Sequence, residues 1–189
     1  MRVFLFILFI TILIACNNIL KVDVPVPPPE KPQKHTIKLI DSFGSVTIQL
    51  PARYDTNFSW THFSDCGSLC DRIKYRFQPK FLPINKESGW MWFDLKDSIE
   101  SFTIVHSGYF YSFHQKPDTS HFWKIHEQQK ESLIKHPDSY KIKSDTIEKI
   151  DNHNFSIFTI DLYDSVKLLY TKKVIASTYI KSNAVEFNF

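Results

Sequence analysis

The side chains best suited to chemistry in this 189-residue chain are its three cysteines, eight histidines and a large aromatic complement. Cys66 and Cys70 stand four apart, and His62 precedes them by the same interval. Wound on a helix, that spacing would align three soft ligands along one side, the beginning of a zinc site. Gly67 weakens a helix there, and a fourth ligand is not identified. Outside the reducing cytoplasm the two thiols would instead join as a disulfide, and oxidation would compete with any metal for them; free thiols are the third state. His121 and His126 lie five apart, which on a helix turns them about 140° from each other, so they are expected on a helix surface rather than in one metal site. His62, His106 and His114 are scattered polar candidates for an enzyme site without a recognisable motif.

Two aromatic groups stand out as well. Trp90 and Trp92 fall in Trp90-Met91-Trp92-Phe93, and Tyr109, Tyr111 and Phe113 alternate along the chain a little later. Trp90, Trp92, Tyr109 and Tyr111 are candidates to line a ligand cleft or a protein-binding face. In a chain with 17 Phe the default for such residues is core packing, which only an exposed patch would overturn. Gly-x-Ser-x-Gly, His-Glu-x-x-His and Gly-x-x-x-x-Gly-Lys are absent from the sequence, so neither a hydrolase elbow, a zincin helix nor a phosphate loop is expected, and a cofactor is not called for. Lys and Arg number 23 against 20 Asp and Glu, without a dense basic cluster, which makes nucleic acid an unexpected partner.

The N-terminus carries a sharper signal. Arg2 precedes an apolar run from Val3 to Ile14 broken only by Thr11, and Ala15-Cys16 closes it. The run is shorter than the roughly 20 residues a spanning helix needs. Leu13-Ile14-Ala15-Cys16 resembles the lipobox of bacterial lipoproteins. That resemblance implies removal of residues 1–15, diacylglycerol on the Cys16 sulfur and membrane lipid as a partner. Several acyl chains hold a protein firmly where one holds it only marginally. Asn17 stands where the family's inner-membrane retention signal in enteric bacteria is Asp. The resemblance therefore implies an outer-membrane anchor facing the periplasm. Export makes the disulfide the expected state of Cys66 and Cys70; a loop so short removes only about 2 kcal/mol of unfolded-state entropy.

Five prolines between Pro25 and Pro32 exclude helix and central strand. Residues 16–34 are therefore expected to be the lipidated cysteine and an extended tether, with one globular domain over residues 35–189. Thr36 to Asp41 and Ser45 to Leu50 predict a hairpin around Ser42-Phe43-Gly44. Arg72 to Phe77 alternates apolar and basic residues, predicting a strand whose basic face meets water. Gly89 to Leu95, Ser98 to His106 and Gly108 to Phe113 predict further strands. Cap-forming residues ahead of Phe122 predict a helix over residues 119–136, ending before Pro137. Tyr140 to Ile150, Phe155 to Leu162, Val166 to Thr178 and Ala184 to Phe189 predict an antiparallel meander, although Asp145-Thr146-Ile147-Glu148 also fits a helix start.

The fold class expected is α+β, mainly antiparallel sheet on one principal helix. In element order this looks like the α/β sandwich of the PsbP and Mog1 group, a likeness without a residue motif that carries no ligand or activity. The function expected is that of a non-enzymatic accessory or binding domain at the cell envelope, with an envelope protein as a candidate partner. An exported enzyme with an unrecognised site and an envelope inhibitor or immunity protein are the alternatives.

Overall fold

The computed structural model describes residues 30–40, 43–86, 100–108, 119–137, 139–164, 168–180 and 183–189. The first two strands, β1 (Pro32–Lys38) and β2 (Ser45–Pro51), pair as the expected hairpin with Pro32 opposite Pro51. The strand thus starts inside the stretch expected to be tether. Proline is tolerated there because it is the first residue of a strand, where a ladder donor is not required. At the closed end Gly44 takes a φ of 96°, a left-handed conformation suited to glycine, and its carbonyl accepts from Leu39 N at 2.9 Å.

The remaining strands are β3 (Thr56–His62), β4 (Arg72–Gln78), β5 (Phe102–Ser107), β6 (Tyr140–Ile150), β7 (His153–Asp164), β8 (Leu169–Ile180) and β9 (Asn183–Asn188). They form one antiparallel sheet in the order β3-β4-β5-β9-β8-β7-β6. The C-terminal strand β9 therefore joins the first three strands to the meander. Residues 140–150 are strand and not helix, because they pair along their length with β7 and turn back through Asp151 and Asn152, both at positive φ. A two-residue left-handed turn of this kind matches strand twist, and Asp and Asn tolerate it better than most residues. The helix α1 (Thr119–Ile134) ends before Pro137, as its sequence demands. Architecture and fold class are thus α+β, an antiparallel sheet with one helix among the described residues.

Pleating sends alternate residues to opposite faces of the sheet. The hairpin covers one face of β4, β5 and β9, where Leu39, Phe43, Leu50 and Tyr54 close over Phe77, Phe102, Ile104 and Val185. On the opposite face α1 lies over the meander through His126, Gln129 and Lys130. The basic side of β4 does not meet water as expected. Arg72 is exposed and Lys74 half-buried, but Arg76 is only 7% exposed. The chain that follows β4 folds back, and Arg76 Nη1 donates to the Asn85 carbonyl at 3.1 Å while its guanidinium lies 5.0 Å from the Trp60 ring centroid. The expected strand Gly89 to Leu95, and that of Gly108 to Phe113 beyond Gly108, lie outside the described residues.

Candidate functional site

At the end of the sheet where β3 finishes and β4 begins, residues 63–71 form a short loop. Gly67 has a φ of 91°, which lets the chain reverse into a single 3-10 turn over Ser68–Cys70. The Asp71 carboxylate accepts from Ser64 N at 2.8 Å and closes the loop, and Cys66 and Cys70 are joined by a disulfide with their Cα atoms 5.9 Å apart. The His62-Cys66-Cys70 ligand set is not assembled: His62 ends a strand, and the cysteines flank a turn instead of a helix face. Among the described residues, three His, Cys, Asp or Glu side chains do not meet anywhere to hold a metal ion.

The Asp71 carbonyl accepts from Gly108 N at 2.7 Å, and a Cβ at Gly108 would sit 3.1 Å from that carbonyl oxygen, so a larger residue fits only if Asp71 gives way by a few tenths of an ångström. This contact fixes a cleft of about 320 Å³ lined by Leu69, Cys70, Asp71, Arg72, Ser107 and Asn183. Its lining mixes acidic Asp71 and basic Arg72 with apolar Leu69 and Ala184. Sequence reading did not single out this cleft, because its wall comes from three strand ends far apart in the chain.

Two histidines occupy structural positions. His106 on β5 is fully buried between the Phe43 ring, 4.6 Å away, and the Tyr75 ring. Its Nδ1 lies 2.7 Å from the Ser107 carbonyl, which can only accept, so Nδ1 carries the proton and bare Nε2 faces the Tyr75 hydroxyl at 3.4 Å. Burial pushes the imidazole pKa down, opposed by the bond to Ser107. The unfolded chain therefore binds a proton at higher pH than the folded one. Stability from this group is complete above about pH 6.5 and falls as pH drops toward the depressed folded value, with a limiting slope of about 1.4 kcal/mol per unit. Urea unfolding at pH 7.5 and 5.5 should show a smaller loss of stability for His106→Gln than for the native chain; equal losses would refute the assignment.

His126 was expected on the helix surface and is instead 5% exposed, stacked on Phe158 at 4.8 Å. The reason is helix phase. It lies at the centre of the face formed by half-buried Phe122, Gln129 and Leu133, four residues before and three and seven after it. Its Nδ1 is 2.7 Å from Ser156 Oγ, a pairing that superficially suits a nucleophile and its base. The proton directions rule this out: Ser156 donates to Gln129 Oε1 at 3.2 Å, so its single proton is committed and His126 Nδ1 donates to it. Gln129 in turn donates to Ser177 Oγ at 3.3 Å. Ser156→Ala should cost about 1–3 kcal/mol by leaving the His126 donor and the Gln129 acceptor unpaired in a buried interface, measured by chemical denaturation. A neutral substitution would mean that the network is not formed. The sequence also contains one Ser-x-x-Lys spacing, Ser132 and Lys135, both exposed on or just beyond α1.

Cys16, Trp90, Trp92, Tyr109, Tyr111 and His114 lie outside the described residues, so the lipidation site and the aromatic candidates are not placed by the fold. Trp60, among the described residues, is stacked on Phe58 with centroids 5.5 Å apart and carries Arg76 and Lys74 over its ring. At the opposite end of the sheet from the cleft, Glu30 is fixed to the fold. Its carboxylate accepts from Arg53 N at 3.0 Å, and Arg53 Nε donates to Glu100 at 2.7 Å. Tyr54 donates to the same Glu100 oxygen at 3.1 Å; burial and that carboxylate push its phenol up to about 12. No protein-family model, curated protein or solved structure matches the chain.

Proposed function

We propose that the protein is a lipid-anchored lipoprotein of the cell envelope, acting as a non-enzymatic accessory or binding domain. The observation that carries this reading is Leu13-Ile14-Ala15-Cys16 followed by a proline-rich run that reaches the fold at Glu30. Residues 16–29 can span about 43 Å when extended, enough to hold a folded body clear of headgroups. His106 and His126 are both buried and hydrogen-bonded within the fold, and neither faces the cleft at the disulfide loop.

The deciding experiment is metabolic labelling with radioactive palmitate. The expected result is label on the chain and retention in the membrane fraction through alkaline carbonate. An unlabelled chain released by carbonate would overturn the proposal.

A further inference from the structure

We infer that the bond between Cys66 and Cys70 is a thiol–disulfide exchange site, opened at Cys70 by a protein dithiol and closed again while the rest of the fold stays in place. The inference rests on the exported reading for its compartment, where disulfides persist. Both cysteines are exposed, none of Ser68–Cys70 is buried, and a Cβ placed on Gly67 would meet open space. An attacking thiolate therefore reaches the sulfurs without unfolding the chain, and access is one of the conditions that set exchange rates. Phe63 and Leu69, 58% and 55% exposed, give an approaching protein apolar surface in the same loop. The loop stands at the end of the sheet away from Glu30, so the tether does not block the approach.

The neck of the loop is held by bonds that do not involve sulfur. The Asp71 carboxylate accepts from Ser64 N at 2.8 Å, and the Asp71 carbonyl accepts from Gly108 N at 2.7 Å. Within the turn, Cys70 N donates to the Gly67 carbonyl at 2.9 Å. These contacts remain when the disulfide opens. A bond between residues four apart also restricts the unfolded chain little, so breaking it costs the domain little. Cys16 is the third cysteine of the chain and carries no thiol on the lipoprotein reading, which leaves the opened pair only each other to rejoin.

The two sulfurs differ in one contact. Ser64 Oγ lies 3.3 Å from Cys66 Sγ and 3.4 Å from Asp65 Oδ1, and neither of these carries a hydrogen, so the hydroxyl donates and shares its proton between them. An aspartate neighbours each cysteine, Asp65 beside Cys66 and Asp71 beside Cys70, so carboxylate charge does not choose between the sulfurs. The hydroxyl does: a hydrogen bond to a departing thiolate makes Cys66 the better leaving group. The incoming thiolate attacks Cys70 Sγ and forms a mixed disulfide there. The bond to Cys66 breaks, its electron pair stays on Cys66 Sγ, and that thiolate takes a proton from water. The partner's second thiolate then displaces Cys70, which is protonated in turn. The loop gains two electrons and two protons, the dithiol loses the same and leaves as a disulfide, and the reverse sequence closes the loop.

The test uses the full processed chain in detergent. Excess dithiothreitol should reduce it in buffer at a rate within about tenfold of that in strong urea, because the fold does not shield the sulfurs. The reduced chain should keep its fold, with its urea midpoint lowered by no more than about 1 M. Brief exposure to glutathione, quenched with acid and N-ethylmaleimide and mapped by tandem mass spectrometry, should place glutathione on Cys70 about threefold more often than on Cys66, or more. Ser64→Ala should bring that ratio close to one, and Ser64→Thr should restore it. Reduction slower in buffer by more than tenfold, loss of the fold on reduction, glutathione that does not prefer Cys70, or a preference that Ser64→Ala leaves unmoved would each overturn the inference. The same maps read Cys16. N-ethylmaleimide on that sulfur would defeat the anchor reading and leave the chemistry at Cys66 and Cys70 to be judged by the same ratio.

Discussion

Cys16→Ser is expected to abolish palmitate incorporation and to leave the chain at precursor size, with residues 1–15 still attached. The proposed anchor would be made by nucleophilic displacement at the lipid donor by the Cys16 sulfur. A cysteine thiol ionises near pH 8.5, whereas a serine hydroxyl is far less nucleophilic at neutral pH, so the substituted side chain does not form the thioether. Without the thioether the resemblance to lipoproteins implies that the signal is not removed. The physical consequence is large: each buried methylene of an acyl chain contributes about 0.8 kcal/mol, and two or more chains separate stable anchoring from marginal, reversible binding. The other two cysteines are Cys66 and Cys70, joined to each other, so loss of label in this variant identifies the site cleanly. Gel mobility and palmitate labelling of both chains check it, and persistent label on the variant would sink the assignment.

The parts of the fold that could be read from sequence are those governed by local rules. The hairpin around Gly44, the helix stopped by Pro137 and the strands of the meander each follow from turn chemistry or periodicity within a dozen residues. Strand β3 was not among the expected elements, although Phe58 and Trp60 alternate with Asn57, Ser59 and Thr61 in the period-two pattern of a strand. Errors at Arg76 and His126 share one cause. Sequence pattern assigns a polar residue to water, but burial is decided by what folds over it: the Asn85 carbonyl for Arg76, and Ser156 and Phe158 for His126. The cleft at the disulfide loop was illegible for a further reason. Asp71, Ser107 and Asn183 become neighbours only through the β4-β5-β9 order, and the insertion of a C-terminal strand between β5 and β8 is a tertiary fact.

Phe158→Ala should lower stability by about 3–5 kcal/mol, a large share of the 5–15 kcal/mol that holds a typical domain together. Phe158 is 1% exposed on the face of β7 that receives α1, and the His126 ring stacks on it with an interplanar angle of 16°. Removing the ring therefore takes away buried area and leaves a cavity in the sheet–helix interface. Phe122, whose ring lies 6.4 Å from that of Tyr179, and half-buried Ile125 and Leu133 hold the rest of the helix face to the sheet. Trp123 and Ile134 face solvent, and the Lys130 to Asp145 ion pair at 2.6 Å is solvent-screened. The stacked imidazole also orients Nδ1 toward Ser156, so losing the ring should weaken that bond too. The double variant Phe158→Ala with Ser156→Ala should then cost less than the two single losses added together. Urea unfolding of the three variants measures this. A loss below 1 kcal/mol for Phe158→Ala, or strict additivity in the pair, would mean that α1 is not docked through His126.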